Sequence, residues 1–172
     1  LSQRLNALLM TDGYEPGEPH WQLAQDGRLM LSVMAGKEED VRDRSEKDDW
    51  VVWHEPWHKV YYSPPVWDLC DSGRWIHLAS VYDPEARVVR HYVDGRETIR
   101  HRIEARHLVK TIRLGNAEIG NWGQPYRKRP EFAVRNLNGV VDEVLLFQAA
   151  LSGEEIANMY QIGAPEAPVG ND

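Results

Sequence analysis

The sequence is poor in several features that mark particular classes of protein. Its 172 residues contain one cysteine, Cys70, so an intrachain disulfide is excluded. No apolar run reaches the length needed to span a membrane, and no signal-peptide pattern is present. Because acidic residues outnumber basic ones and the formal net charge is −7, general nucleic-acid binding is excluded as well.

Phenylalanine is also scarce, whereas the two aromatic residues with a polar edge are abundant. The chain has two Phe against seven Trp and seven Tyr. Tyr and Trp combine an apolar body with a hydrogen-bonding group, which suits the core of a β-sandwich and a binding surface equally. The length predicts one domain, over residues 1–163, and residues 164–172 are polar and proline-rich, which predicts a linker or tail.

Residues 74–95 form the stretch around which the rest of the chain is organised. They predict two strands joined by a loop that begins at Asp83-Pro84, where proline ends a ladder and presets a turn. The dipeptide Asp94-Gly95 tolerates the positive φ of a tight hairpin. Both faces of the first strand are apolar, which predicts a central strand covered on both sides. Its two faces are Trp75, His77, Ala79 and Val81 on one side, and Ile76, Leu78, Ser80 and Tyr82 on the other.

Other segments also have the residue pattern of strands, and the dipeptide Asp26-Gly27 predicts a hairpin between two of them. These segments are 5–12, 20–24, 28–34, 111–115 and 140–147, and an aromatic-rich stretch over 50–67 is β-prone with breaks at its prolines. Residues 36–49 are dense in charge and predict a solvated loop or a mobile insertion.

One helix is predicted near the C-terminus. Ser152 is an N-cap residue and Glu155 follows three positions later, which makes a capping box. Leu151 and Ile156 flank the cap and can form a hydrophobic staple, and Gly163 ends the helix. Many short strands with regular turn signals and one short terminal helix predict an all-β protein, an antiparallel β-sandwich.

Several motifs carry a resemblance to a known family. Residues 75–83 read W-x-H-L-A-x-V-Y-D, residues 92–95 read Y-V-D-G, and further matches lie at 114–115, 138–144 and 150–156. They resemble the laminin-G-like and pentraxin-like domains of the concanavalin A-like lectin/glucanase superfamily. The resemblance implies a jelly-roll β-sandwich in a larger, extracytoplasmic protein that is secreted, periplasmic or on the cell surface.

The first predicted strand, 5–12, departs from the family pattern, because the resembled domains have earlier strands before the equivalent segment. The chain also begins at Leu1 rather than Met, so we expect a fragment from which N-terminal strands are missing. A sandwich without those strands has an open sheet edge. We therefore expect a homo-oligomer that forms through an edge-strand or swapped contact between copies.

Two patterns of catalytic residues can be compared with the sequence. Residues 54–58 read H-E-P-W-H and match the H-E-x-x-H motif of zinc proteases, which works on a helix. Pro56 and the β-like flanks indicate a coincidence rather than a zinc site. The paired carboxylates that glycosidases use are missing around Asp142 and Glu143. No serine or cysteine has the motif of a nucleophile, so the sequence predicts a protein that is not an enzyme.

Asp142 has two interpretations. In the resembled family, the Asp of the G-x-x-D-E strand often helps to hold a structural calcium ion, which would make Asp142 a metal ligand. Calcium needs several oxygen ligands, and the N-terminal partner strand is missing here. We therefore favour the alternative, in which Asp142 and Glu143 bond to turn amides or pair with an arginine.

The loop over 120–127 is the best candidate for ligand binding, because its glycines and proline force it to the surface. An exposed aromatic ring can stack on the apolar face of a sugar, while neighbouring polar side chains fix the hydroxyls. The candidate ligand-binding residues are Asn121, Trp122, Gln124, Tyr126 and Arg127. The alternative for any single tryptophan is that it fills the core or anchors a loop.

The segment 96–113 is basic and has two interpretations, a patch for anionic glycans or the solvated face of an edge strand. We favour the second, because Glu97 and Glu104 balance the arginines. The sequence as a whole predicts a non-catalytic binding module that recognises a glycan such as a polysaccharide. The alternatives are a module for protein interaction or assembly and, less favoured, a glycoside hydrolase of the same fold.

Overall fold

The computed structural model describes residues 4–11, 15–36, 58–66, 73–122 and 135–163. Over these residues the chain forms two antiparallel sheets, a 3-10 helix and one α-helix. The strands are β1 (Leu5–Thr11), β2 (Pro19–Ala24), β3 (Arg28–Met34), β4 (His58–Pro65), β5 (Leu78–Asp83), β6 (Val88–Val93), β7 (Arg96–Arg102) and β8 (Ala117–Ile119). The 3-10 helix spans Ala105–His107, and the α-helix, α1, spans Gly153–Gly163.

The strands form two separate sheets in the part of the chain that the structure describes. The first has the order β4-β3-β2-β1-β8 and the second has the order β5-β6-β7. Adjacent strands in both sheets are antiparallel. The predicted fold class, an antiparallel β-sandwich with one short C-terminal helix, is therefore confirmed.

Turn chemistry positions the strands of the second sheet as the sequence predicts. Asp94 and Gly95 have φ values of 48° and 74° and join β6 to β7. Two successive positive φ values are typical of a type I′ hairpin, whose twist matches that of the flanking strands. After β5, the Asp83 carboxylate accepts hydrogen bonds from the backbone N–H groups of Glu85 and Ala86, at 3.1 and 2.8 Å.

The core consists of three clusters of buried side chains. The largest joins both sheets and contains Leu31, Tyr61, Val89 and Ile103, with Trp21, Tyr82 and Leu108 packed against it. A second cluster packs beside β1 and contains Ala7, Met10 and Trp122. A third joins the second sheet to α1 and contains Val81, Tyr92 and Ile156, with Ala79 and Leu151 beside it. Along β5, alternate residues therefore face the first sheet and the helix.

A chain of hydrogen bonds crosses the interior between the sheets. The indole N–H of Trp21 in β2 donates to the Oγ of Ser80 in β5 at 2.8 Å. This Oγ lies 2.7 Å from Nδ1 of His91, and Nε2 of His91 lies 3.1 Å from the carbonyl oxygen of Tyr61 in β4. Because a carbonyl only accepts, Nε2 carries the proton and the Ser80 hydroxyl donates to Nδ1.

Helix α1 begins at the predicted capping box. The backbone N–H of Ser152 donates to Oε2 of Glu155 at 2.7 Å, and the N–H of Glu155 donates to Oγ of Ser152 at 3.2 Å. The bond from the Ser152 N–H lowers the pKa of the Glu155 carboxyl. Leu151 and Ile156 belong to one apolar cluster, as a hydrophobic staple requires. None of the helices that the structure describes is long and apolar enough to cross a membrane.

Three predictions about individual strands are wrong. Among the described strands β5 is not central, because β6 lies between β5 and β7 in their sheet. Residues 111–115 form no strand, and the short strand β8 begins two residues later, where the chain pairs with β1. Residues 140–147 join no ladder in the described part of the chain, although their sequence is that of a strand. An apolar pattern shows that a segment is able to form a strand. Whether it does so also depends on a free edge of another strand with which it can pair.

The open edge predicted at residues 5–12 is covered within the chain. Leu9–Thr11 pair with Ala117–Ile119 of β8, and the N–H of Ala7 donates to the carbonyl oxygen of Arg135 at 2.7 Å. β5, in contrast, has a described neighbour on one side only. The predictions for the charged loop beyond Gly36, for Cys70 and for the tail 164–172 lie outside the described residues.

Candidate functional site

The structure buries the tryptophan of the predicted glycan loop. Trp122 is 6 % exposed, and its indole N–H donates to the carbonyl oxygen of Thr11 at 3.0 Å. The guanidinium of Arg135 lies over its ring, 4.2 Å from the centroid. The prediction that Trp122 offers an exposed face to a sugar is therefore wrong, and the alternative of a loop anchor is correct.

The other candidate residues of this loop are not brought together by the described structure. Asn121 lies on the chain just after β8 and is half-buried. Gln124, Tyr126 and Arg127 lie outside the described residues, so their role in ligand binding stays a prediction. Local sequence does not decide whether Trp122 turns inward, because its partner Thr11 is 111 positions away.

The described residues do not make a calcium site around Asp142. Its side chain is exposed, and its neighbour in sequence, Glu143, is exposed too. No group of three or more His, Cys, Asp or Glu side chains that could hold a metal ion occurs among the described residues. Since calcium takes six to eight oxygen ligands, Asp142 and Glu143 alone do not fit the ion.

Histidines occupy structural positions in the described part of the chain. His58, the last residue of the H-E-x-x-H string, is the first residue of β4 and not part of a helix; residues 54–57 lie outside the described residues. His91 is fully buried, and burial lowers its pKa from 6.5 to about 4, so the ring is neutral at pH 7. His91 is therefore a packed core histidine.

The basic segment behaves as the solvated face of an edge strand. In β7, the guanidinium of Arg100 forms an ion pair with Glu97 at 2.9 Å, and beyond the strand Arg106 pairs with Glu104 at 2.9 Å. The pair with Arg100 lowers the pKa of the Glu97 carboxyl. These carboxylates pair with two of the six Lys and Arg residues of the segment, in line with the favoured interpretation of the sequence.

The most unusual surface is the 140–147 segment, residues Val140 to Phe147. Five of its eight side chains are large, apolar and between 42 and 79 % exposed, namely Val140, Val141, Leu145, Leu146 and Phe147. Monomeric proteins seldom expose contiguous apolar residues without an interaction role. The sequence pattern of 140–147 predicted a strand, whereas the structure leaves most of its apolar side chains exposed.

A second surface, the Trp75 surface, consists of Arg74, Trp75, His77, Asp94 and Tyr160. The Trp75 side chain is 52 % exposed. The Arg74 guanidinium donates to the Asp94 carboxylate at 3.0 Å, and the other oxygen of that carboxylate accepts the backbone N–H of His77 at 3.0 Å. The rings of His77 and Tyr160 lie 5.8 Å apart. Sequence reasoning assigned this stretch to the scaffold and missed it as a surface.

The fold defines an antiparallel β-sandwich domain, and comparison with known proteins gives its family. The laminin-G domain model of the concanavalin A-like lectin/glucanases superfamily matches residues 7–157. The chain therefore belongs to this superfamily, as a laminin-G-like domain. The resemblance seen in the sequence motifs is confirmed.

No curated protein matches the chain. Among solved structures, it is similar to a 2.1 Å crystal structure of residues 221–444 of an S-layer domain-containing protein from Clostridium thermocellum. The two sequences are 15 % identical, and the TM-score is 0.41. The similarity covers 93 % of this chain, which spans 65 % of that chain's length.

Proposed function

We propose that this chain is a non-catalytic interaction module that associates with a second copy of itself through the 140–147 segment. The observation that carries the proposal is the row of five exposed apolar side chains in eight consecutive residues. Burying them between two copies removes apolar surface from water, which stabilises the dimer by about 25 cal/mol per Å² of that surface. The absence of paired carboxylates around Asp142 and Glu143 supports a role without catalysis.

Antiparallel pairing of two 140–147 segments about a two-fold axis suits their sequence. With the axis at Val144, which then faces its own copy, Asp142 faces Leu146 of the second copy, and Glu143 faces Leu145. No carboxylate then lies directly opposite a carboxylate, a pairing that destabilises a sheet. Two-fold contacts are the commonest among oligomers, because one surface serves both copies. Eight residues are fewer than the ~20–30 per side of a standard interface, so we expect a weak dimer.

Analytical ultracentrifugation over a range of protein concentrations tests this proposal. We expect a reversible monomer–dimer equilibrium for the wild type. The double variant V141K/F147K should be monomeric at every concentration, because the lysine at position 141 of each copy would then lie directly opposite the lysine at position 147 of the other. Its circular dichroism spectrum and Tm should stay unchanged, since both side chains are exposed in the monomer.

Ile162→Lys is a matched control for this experiment. Ile162 is an apolar side chain that is 88 % exposed on α1, outside the 140–147 segment. The variant should dimerise like the wild type. A wild type that stays monomeric at all concentrations, or a V141K/F147K dimer of wild-type strength, would contradict the proposal.

Glycan recognition is the second candidate function. It is favoured by the Trp75 side chain, which is large, aromatic and 52 % exposed. The superfamily includes both lectins and glucanases by its own description. An extracytoplasmic location would suit either function, and it is proposed on the family resemblance. A glycan array probed with and without calcium tests this candidate, and absence of binding in both conditions would reject it.

A further inference from the structure

The outer edge of β5 has no neighbouring strand in the described part of the chain. The N–H of Asp94 donates to the carbonyl oxygen of His77 at 2.9 Å, so these two residues form a hydrogen-bonded pair. Such pairs alternate along an antiparallel ladder, and the residues two, four and six positions after His77 therefore bond to β6. The backbone N–H and carbonyl groups of Leu78, Ser80 and Tyr82 consequently point away from β6, toward the outer edge.

The position beside this edge lies over β1 and β8 of the first sheet. Nε2 of His91 in β6 lies 3.1 Å from the carbonyl oxygen of Tyr61 in β4, and Ser80 of β5 accepts from Trp21 of β2 at 2.8 Å. The first sheet continues from β2 to β1 and β8. Because the strands of packed sheets run roughly along one another, a strand added to β5 would face β1 and β8.

An exposed apolar side chain on β8 faces the same position. Leu9 of β1 is paired with Trp21 on one side and with Ile119 of β8 on the other, and directly opposite residues share a face of the sheet. This face points toward the second sheet, because Trp21 bonds to Ser80 there. Ile119 is nevertheless 55 % exposed, as expected for an inner face that no strand covers.

The 140–147 segment connects the two sides of this position. Before it, the N–H of Leu137 donates at 2.9 Å to the carbonyl oxygen of Gly120, the residue after β8. After it, Leu151 packs beside the cluster that joins the second sheet to α1, and its carbonyl oxygen accepts from the guanidinium of Arg90 in β6 at 3.2 Å. The four residues up to Leu151 span at most ~14 Å when extended, so the segment can reach the outer edge of β5 while both ends stay in place.

We propose that the 140–147 segment joins the outer edge of β5 in its own chain when two copies associate, so that one continuous sheet runs through the dimer. Each segment then pairs with β5 along one edge and with the segment of the second copy along the other, and one of its faces covers Ile119. Ordering the segment costs conformational entropy, and hydrogen bonds along both edges offset that cost better than bonds along one. The inference rests on the dimerisation proposed above and adds the surface that the segment occupies within each copy.

Amide hydrogen exchange, resolved by residue with NMR at concentrations where the wild type is monomeric and where it is dimeric, tests the inference. We expect the amides of Leu78, Ser80 and Tyr82 to become about tenfold or more better protected in the dimer, because they then bond to the segment. The amides of Ala79 and Val81 point toward β6 and serve as the internal control, since their protection should not depend on concentration.

Ile119→Lys tests the position of the segment by a different measurement. Ile119 is exposed in the monomer, so the variant should fold normally, whereas a segment docked over β8 would remove the new charge from water. We expect the dissociation constant of the dimer, measured by analytical ultracentrifugation, to rise about tenfold or more. Ile162→Lys on α1 is the matched control and should dimerise like the wild type.

The outcomes separate failure of the docking from failure of dimerisation. If the wild type does not dimerise at any concentration, both proposals are overturned. If it dimerises while the amides of Leu78, Ser80 and Tyr82 exchange as in the monomer, or if Ile119→Lys dimerises like the wild type, the docking on β5 is overturned and self-association through the 140–147 segment stands. Protection of these three amides already in the monomer would overturn the coupling between docking and association.

Discussion

At the scale of single residues, neutral polar side chains connect the two sheets. His91 uses both ring nitrogens, one toward Ser80 and one toward the carbonyl oxygen of Tyr61. Its ring is completely buried, and it lies 6.1 Å from the ring of His101. A charge at this position would have to be desolvated, so the sandwich requires the neutral form.

We predict that the free energy of unfolding falls as the pH drops below 6.5. Burial lowers the pKa of His91 to about 4, whereas the unfolded chain takes up the proton near 6.5. Between these values the unfolded state binds more protons, so acid favours unfolding. The expected loss from His91 is about 2 kcal/mol between pH 7 and pH 5. Urea denaturation at the two pH values measures it.

The variant His91→Gln is the control for this prediction. Glutamine can still donate to the Tyr61 carbonyl, but it does not titrate. Its unfolding free energy should change about 2 kcal/mol less than that of the wild type between pH 7 and pH 5. An unchanged pH dependence would show that His91 is not the group responsible.

Two serines in the sandwich should respond oppositely to removal of their hydroxyl. Ser80→Ala takes away the acceptor of the Trp21 N–H and the donor to His91, and should cost about 1–3 kcal/mol. Ser32 is also buried, but its hydroxyl has no partner in the part of the chain that the structure describes. Ser32→Ala should therefore be neutral or stabilising. Thermal denaturation compares them, and equal losses would contradict the hydrogen-bond assignment.

At the scale of elements, the β6–β7 turn packs closely against α1 at Gly95, a glycine with positive φ. Gly95→Ala would place a Cβ 3.0 Å from the Tyr160 side chain, at φ 74°. We predict destabilisation of about 1–3 kcal/mol from the strained backbone together with the displaced helix. Chemical denaturation measures the loss.

Gly163→Ala, at the C-terminal end of α1, is the matched control for Gly95→Ala. Gly163 is the last residue of α1, and an added Cβ there would meet nothing within 4 Å. Alanine favours a helix over glycine, so this variant should be as stable as the wild type or slightly more stable. If both variants behaved alike, the turn–helix contact would not be what fixes Gly95.

At the scale of the whole molecule, hydrogen exchange should separate the sandwich from the association surface. Backbone amides of β6, which is paired on both sides, should exchange slowly at all concentrations. The amides of the 140–147 segment should exchange fast in dilute protein and become protected as the concentration rises. Mass spectrometry at two concentrations measures this, and concentration-independent exchange of the segment would argue against the dimer.

The sequence predicted best those features whose partners lie close by along the chain. The capping box of Ser152 and Glu155 closes over three residues, and the Asp94-Gly95 hairpin needs only the φ preferences of its own residues. The helix, the hairpin and the sandwich class are therefore confirmed. Family motifs added the jelly-roll class, which the superfamily match supports.

The candidate site was predictable only in part, because exposure depends on distant partners. Trp122 has loop residues around it in the sequence, yet Thr11 and Arg135 draw its ring inward. Trp75 belongs to a stretch with the alternating pattern of a strand, yet its ring is half-exposed. It lies before β5, which begins only at Leu78. No local pattern distinguishes these two tryptophans.

The sequence by itself determined which segments can pair, where the turns lie and where the helix begins, since these follow from local φ preferences and short-range hydrogen bonds. The tertiary structure alone decided which strand lies at an edge and which apolar residues remain in water. β5 and the 140–147 segment both have the pattern of covered strands, but each needs a neighbour. Whether that neighbour is present depends on contacts between residues far apart in the chain. Because the 140–147 segment has no such neighbour among the described residues, its apolar side chains are exposed, and the proposed function follows from that exposure.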